Sequence, residues 1–261
     1  MNDYKKLKVI ILAGGFGSRL DSITKVLPKP LVTIGNEPMI LHIIKIFVKQ
    51  GLTNFYLATG YKSKKFLDFF GKKSVVKIKK NKFNFSTKIE IKVFNKICNI
   101  NLFYTGTDTM TGGRVKTIAN NINDEFFLLT YGDGLANVNI KKLFNFHLKN
   151  KKLVTITAVN PPPRFGEVSI KNHIVTNFSE KKPIKNAWIN GGFFLISKRF
   201  IKFIKNKNSI LEREPLEKAV KNKQLSAYKH SGFWQCMDTR RDRDSLISLV
   251  ENNKFPWLHI K

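Results

Sequence analysis

Short apolar runs alternate along this chain with longer stretches whose apolar positions recur at helical spacing. The runs predict strands near 8–12, 54–59, 101–105, 126–130 and 153–158, and the helical spacing predicts helices over 38–50, 63–70, 113–121 and 139–149. Strand and helix in alternation is the pattern of βαβ units, hence of an α/β chain built on a mainly parallel sheet flanked by helices. Past residue 160 the pattern changes. GEVSI and HIVTNF are short, alternating and joined by a tight polar link at Lys171 and Asn172, which predicts an antiparallel hairpin and so a small β-rich extension. Apolar GGFFLI, helical segments near 198–205 and 212–222, strands LSAYKH and GFWQCMD, and a helix from about Arg241 to Asn252 follow. The lysine-rich block from Gly71 to Lys96 contains FNFSTKIEIKVF, which alternates weakly like an edge strand or hairpin; the block as a whole reads as a solvated excursion, with a subunit contact or a lid over the nucleotide as the alternative.

Length and composition narrow the class. A chain of 261 residues with ordinary apolar content suits one large α/β domain. No run reaches the roughly 18 to 20 apolar residues of a membrane span, and MNDYKKLK leads into a strand rather than a signal sequence, so the expected location is cytoplasmic. Cys98 and Cys236 form no CxxC pair and are expected to be reduced. The net charge of +29 invites a polyanion reading. The excess is nearly all lysine, spread among Asn, Ile and Phe that share A/T-rich codons, so codon bias accounts for it more simply; no nucleic-acid or membrane partner is expected.

The chemistry is expected just past the strands, where open parallel sheets collect their ligands. The first strand runs into AGGFGSRL, which lacks the Lys-Ser/Thr pair of a Walker loop and has Leu20 where a dinucleotide loop needs its third glycine. It remains a loop whose backbone N–H groups can cradle an anion beside Arg19. In LPKPL two prolines stiffen the chain around Lys29, as suits a positioned cation more than a solvated turn. TMTGGRV places glycines at a helix start with Arg114 behind them, readable as an anion site or as a plain helix cap. TYGDG sets Asp133 at a strand end, and FWQCMDT does the same for Asp238. Two such acids suit magnesium, which takes one or two carboxylates plus phosphate oxygens and water. A glycosidase pair would leave the phosphate loop unexplained. Glu180 and Asn190 offer groups to sugar hydroxyls, and Lys181 a partner for a second phosphate, although plain surface charge would look the same at Glu180 and Lys181. His42 and His147 fall within helices and read as structural, and Cys236 lacks a base that would make it a nucleophile.

LAGGFGSRL, PKPL, MTGGR, TYGDG, PPPRFGEV, FSEKKP, INGGFF, EREPL and GFWQCMDT, in that order, resemble the sugar-phosphate nucleotidyltransferases over nearly the whole chain, and the series MTGGR, TYGDG and FWQxMDT points to their cytidylyl branch. The resemblance implies a Rossmann-like α/β fold and a Mg2+-dependent transfer of a cytidylyl group from CTP to α-D-glucose 1-phosphate, giving CDP-glucose and pyrophosphate for surface-polysaccharide (O-antigen, lipopolysaccharide) synthesis. It implies a single domain over 1–261: a nucleotide-binding part to about 135, a sugar-phosphate part from about 136 to 240, and a C-terminal helix. Leu12, Ala13, Gly14, Gly15, Gly17, Ser18, Arg19, Thr109 and Gly132 are implied around the nucleotide, and Lys29 and Arg114 on its phosphates. Asp133 and Asp238 match the metal ligands, Glu180, Lys181 and Asn190 the sugar-phosphate side, and Arg19, Lys29, Asp133 and Lys181 the catalytic set. A homo-oligomer, often a hexamer, is also implied. Ser18 replaces the usual threonine, Leu27 a frequent lysine and Cys236 a usual proline. UTP, dTTP or another sugar 1-phosphate is the near alternative; a non-catalytic nucleotide-sugar sensor or a polyanion-binding module is the distant one.

Overall fold

The computed structural model describes residues 3–17, 24–75, 79–81, 86–161, 166–180 and 187–260. The chain runs β1 (Lys8–Leu12), β2 (Thr33–Ile34), β3 (Glu37–Pro38), α1 (Met39–Lys49), β4 (Asn54–Thr59), α2 (Ser63–Gly71), β5 (Lys79–Asn81), β6 (Ser86–Val93) and β7 (Lys96–Tyr104). It continues with α3 (Thr111–Ala119), β8 (Phe126–Tyr131), β9 (Gly134–Ala136), α4 (Ile140–Asn150), β10 (Val154–Val159), β11 (Glu167–Lys171) and β12 (Ile174–Ser179). Then follow β13 (Ile189–Ser197), α5 (Glu214–Lys221), β14 (Leu225–His230), β15 (Trp234–Cys236) and α6 (Arg240–Glu251).

The main sheet has the order β14-β10-β13-β8-β1-β4-β7-β6-β5. At its centre β8, β1, β4 and β7 are parallel neighbours. They read as near-continuous apolar runs because both faces are covered: Val9, Ile11, Phe55 and Leu57 pack into one core cluster, and Ile10, Leu12, Ala58 and Phe103 into the other. Helix α1 leaves only Lys45 and Lys49 outside its buried set and starts directly after Pro38, whose extended backbone suits the residue ahead of a first turn. β13 runs antiparallel to both β8 and β10, which makes the sheet mixed. β11 and β12 form the expected two-stranded ribbon, turning through Asn172 and His173 at positive φ.

In the lysine-rich block the structure follows the strand-like alternation of FNFSTKIEIKVF and overturns the reading as a solvated excursion. β6 pairs antiparallel with β7 from Lys96 to Phe103, and β7 starts at Lys96 rather than near 101, so this segment extends the sheet instead of leaving it. Ile89, Ile91 and Val93 alternate into the core while Lys88 and Lys92 stay exposed; this is the weak period of two in the sequence, diluted by the lysines between its members.

Both helical histidines are buried in the packing. His147 Nδ1 lies 2.7 Å from Thr155 Oγ1, and His42 Nε2 lies 3.3 Å from the Ile34 carbonyl. Burial lowers His147 from 6.5 to about 4, and lowers His42 and His230 as well. Between those two values the unfolded chain binds a proton that the fold rejects. Stability is therefore full above about pH 6.5 and is lost as pH falls toward 4, with His147 alone worth roughly 3 kcal/mol over that span. Urea midpoints measured from pH 7 to 4.5 are expected to fall steeply for the native chain and less steeply for His147→Asn; equal slopes would remove His147 from the account.

Candidate active site

Segments that follow β1, β7 and β8 converge at the carboxyl edge of the sheet and, with Lys29, Pro30 and Asp238, line a cavity of about 490 Å³. Leu12, Ala13, Gly14, Gly15, Gly17, Thr109, Arg114, Gly132 and Asp133 all lie on its wall, as do Lys29 and Asp238. Ser18, Arg19 and Lys181 lie outside the described residues.

The centre of the site is one ammonium between two carboxylates. Lys29 Nζ donates to Asp133 Oδ2 at 2.6 Å and to Asp238 Oδ1 at 2.5 Å, and its side chain is only 12% exposed. Burial alone would lower the Lys29 pKa, but attraction to and hydrogen bonding with Asp133, then Asp238, outweigh it and hold the group above the ordinary lysine value. The local chain explains the aim of this lysine. Pro28 is extended, Lys29–Leu31 form a single 3-10 turn, and Pro30 is buried beside Gly132. A Cβ on Gly132 would stand 2.6 Å from Pro30 Cγ and 2.7 Å from the Leu12 carbonyl oxygen, so only glycine lets the three strand-end segments close on one another.

The two acids are brought together by backbone. β15 pairs antiparallel with β9, setting Cys236 opposite Gly134, and the Met237 N–H donates to the Asp133 carbonyl at 2.8 Å. Asp238 is then held from the other side: the Asp242 carboxylate accepts from the backbone N–H of Asp238 and Thr239 at 3.1 and 2.8 Å, completing the capping box that starts α6. Among the described residues no three His, Cys, Asp or Glu side chains group as a metal cage. Two convergent carboxylates that already hold a cationic group are nonetheless an all-oxygen donor pair, which suits a hard divalent ion completed by phosphate and water.

The TGGR element differs from its expected role. The N–H groups of Gly112 and Gly113 both donate to the Ser209 carbonyl, at 2.9 and 3.3 Å, rather than facing the cavity. Cβ atoms there would stand 2.7 Å from the Ser209 oxygen and 2.5 Å from the Lys207 oxygen, so these glycines serve close packing of the 207–209 segment. Arg114 is 4% exposed, and its guanidinium donates to the carbonyls of Gly14, Thr59, Gly106 and Thr107 and to Thr105 Oγ1. A planar five-donor fork is thus used to tie together the loops after β1, β4 and β7. Thr109 Oγ1 donates back to the Thr105 carbonyl at 2.6 Å. In the glycine loop, by contrast, no backbone acceptor among the described residues takes the N–H groups of Gly15, Phe16 or Gly17, and all three residues line the cavity.

Glu180 and Asn190 lie off this wall. A Cβ on Gly166 would stand 2.7 Å from a Glu180 carboxylate oxygen, placing Glu180 beside β11. Asn190 sits at the start of β13; its Oδ1 accepts from Gly192 N–H at 2.9 Å and its Nδ2 donates to Tyr131 Oη at 3.3 Å, which links it to the cavity through Tyr131. Tyr131 and Glu212 lie within TYGDG and EREPL, whose spacing gives neither a signal of its own, whereas Thr239-x-x-Asp242 before an apolar stripe is a readable capping signal for Asp242. The Cys236 thiol is pushed up to about 11, by burial first and by the neighbouring carboxylates next, so it stays protonated and is no nucleophile.

Residues 8–239 match the family described as Nucleotidyl transferase. The chain is 40% identical over 255 residues to the glucose-1-phosphate cytidylyltransferase of Salmonella typhimurium, covering 96% of this chain and 98% of that one. It is 35% identical over 253 residues to a protein of Bacillus subtilis described as a probable glucose-1-phosphate cytidylyltransferase, covering 95% of each. Its fold is similar to that of HddC from Yersinia pseudotuberculosis, with a TM-score of 0.69 and 22% identity, over 94% of this chain and 99% of that one. The chain belongs to the nucleotidyl transferase family.

Proposed function

We propose that this protein transfers a cytidylyl group from CTP to α-D-glucose 1-phosphate, releasing pyrophosphate and forming CDP-glucose. The observation that carries this reading is the convergence of Lys29, Asp133 and Asp238 at one end of a cavity lined by the glycine loop; identity with the Salmonella and Bacillus proteins over nearly the full chain supports the choice of nucleotide and sugar. An oxygen of the sugar phosphate attacks the α-phosphorus in line, a new P–O bond forms, and the bond to the bridging oxygen of pyrophosphate breaks. The attacking group is already an anion at neutral pH, so no side chain has to remove a proton. The work of the protein is to bring two mutually repelling anions together and to neutralise the charge that builds on the leaving pyrophosphate.

The backbone N–H groups of Gly15, Phe16 and Gly17 face the triphosphate, and Arg19 adds charge at the same loop. Lys29 has the length and burial to move its ammonium from the two carboxylates onto phosphate oxygens. Asp133 and Asp238 would hold Mg2+, which when bound supplies positive charge to the nucleotide phosphates. Arg114 acts through the loops it fastens. Glu180, Lys181 and Asn190 receive the sugar phosphate, dividing the single domain into a nucleotide part to about 135 and a sugar part to about 240. We infer a cytoplasmic homo-oligomer, a hexamer as the resemblance implies. Two observations support these last readings: among the described residues no helix is long and apolar enough to cross a membrane, and the β11–β12 ribbon exposes Ile170, Ile174 and Phe178.

The test is pyrophosphate release by the purified protein with Mg2+, glucose 1-phosphate and each of CTP, UTP, dTTP and GTP in turn. CTP is expected to give kcat/KM at least tenfold above the others. Preference for another base would overturn the cytidylyl assignment, and release with none would overturn the reading as an enzyme of this reaction.

A further inference from the structure

Four polar side chains join the nucleotide edge of the cavity to the start of β13. The Glu212 carboxylate accepts from Tyr131 Oη at 2.6 Å through one oxygen and from Thr111 Oγ1 at 2.7 Å through the other. Thr111 Oγ1 in turn accepts from the Leu211 N–H at 2.9 Å, and Asn190 Nδ2 donates to Tyr131 Oη at 3.3 Å. Glu212 is the only charged member, and it makes no contact with the Lys29 cluster that would explain its place.

A phenol has one proton to give. Here it is donated to Glu212, in a short hydrogen bond to a carboxylate that can only accept. With the O–H fixed toward Glu212, the oxygen of Tyr131 is left as an acceptor, one lone pair toward Asn190 and the remainder toward the cavity that Tyr131 lines. Asn190 is oriented just as firmly. Its Oδ1 is committed to the Gly192 N–H, so its amide nitrogen faces Tyr131 as a donor. A defined acceptor and a defined donor side by side are what is needed to read the direction of a sugar hydroxyl, and a site built this way rejects a hydroxyl in the wrong position because a polar group that the bound sugar covers is left unpaired.

We propose that Glu212 is a positioning residue for sugar selection: by holding the Tyr131 proton it presents Tyr131 Oη as an acceptor, beside the Asn190 donor, to a hydroxyl of the sugar 1-phosphate. This rests on the reading that the sugar lies between the end of β8 and the start of β13. Glu212 acts at one remove, so truncating it leaves the triphosphate side as it was. Glutamine is the informative replacement. It keeps size and shape but has a single acceptor oxygen, and if its NH2 turns to the phenol, Tyr131 faces two donors, its own proton swings into the cavity, and acceptor becomes donor.

The experiment compares wild type, Glu212→Gln, Tyr131→Phe and the double variant, using CTP and whichever sugar 1-phosphate the wild type turns over best. Each single variant is expected to raise KM for the sugar phosphate about tenfold, with KM for CTP within about twofold and the unfolding temperature within a few degrees. The double variant is expected to be no worse than the singles, since both act through one hydroxyl. An unchanged sugar KM in Glu212→Gln, an equal rise for both substrates, or additive losses in the double variant would each overturn the proposal. Failure of glucose 1-phosphate itself as the preferred substrate counts against the glucose 1-phosphate reading instead, because the comparison runs on the sugar actually used.

Discussion

Asp133→Ala and Asp238→Ala are each expected to lower kcat/KM for pyrophosphate release by at least about 100-fold, on the order of 3 kcal/mol in transition-state stabilisation, while leaving the fold intact. The structure gives both parts of that expectation a cause. Among the described residues the two acids are the only carboxylates on Lys29, so losing either removes half of the oxygen pair on which a divalent ion would depend. Neither side chain carries the local architecture. The main-chain bond from Met237 N–H to the Asp133 carbonyl, the β9–β15 pairing and the Asp242 cap all survive truncation at Cβ. Steady-state kinetics with excess Mg2+, together with circular dichroism, separates the two effects. Activity within tenfold of wild type in either variant would remove the carboxylate pair from the reaction.

Lys29→Met is expected to do comparable damage to turnover and to leave a distinct mark on stability. Without its ammonium the two carboxylates lose the cation they share. Each is 29% exposed, so their repulsion is softened by water but not abolished. In chelator the variant should unfold a few degrees below wild type, and Mg2+ should raise its unfolding temperature more than that of wild type, because the ion enters a pair that no ammonium has to vacate. The measurement is thermal unfolding with and without Mg2+, which needs no substrate. A variant that neither loses stability in chelator nor gains more than wild type from Mg2+ would show that Lys29 and a divalent ion do not share these two acids.

Much of the fold was legible because its centre obeys simple periodicities. β1, β4 and β8 are buried on both faces and appear as apolar runs at the predicted positions; α1, α2 and α4 differ from expectation by a residue at their ends. β6 was legible only weakly, as an edge strand or hairpin, because the lysines and Glu90 around Ile89, Ile91 and Val93 dilute a period of two that the pleat makes plain. The site was legible to a similar degree. Lys29, Asp133, Asp238 and the glycine loop announced themselves by lying just past strands or between prolines. TGGR was open to two readings, and the deciding partner, the Ser209 carbonyl, is supplied by a segment nearly a hundred residues downstream. Glu212 was unreadable for the same reason: its significance lies in Tyr131 and Thr111, 81 and 101 positions away.

What the sequence determined by itself, then, is local: which stretches are strand or helix, which glycines and prolines stiffen or open the chain, and which strand ends carry charge. Those features follow from backbone sterics and side-chain burial within a few residues of each position. The tertiary structure alone decided which of the charged ends meet. Asp133 and Asp238 share one ammonium because a three-residue pairing of β9 with β15 brings them together, and Arg114, on the cavity wall, fastens loops because three strand ends point their carbonyls at it. Hydrogen-bond partners distant in sequence are selected by packing, and no spacing along the chain encodes them.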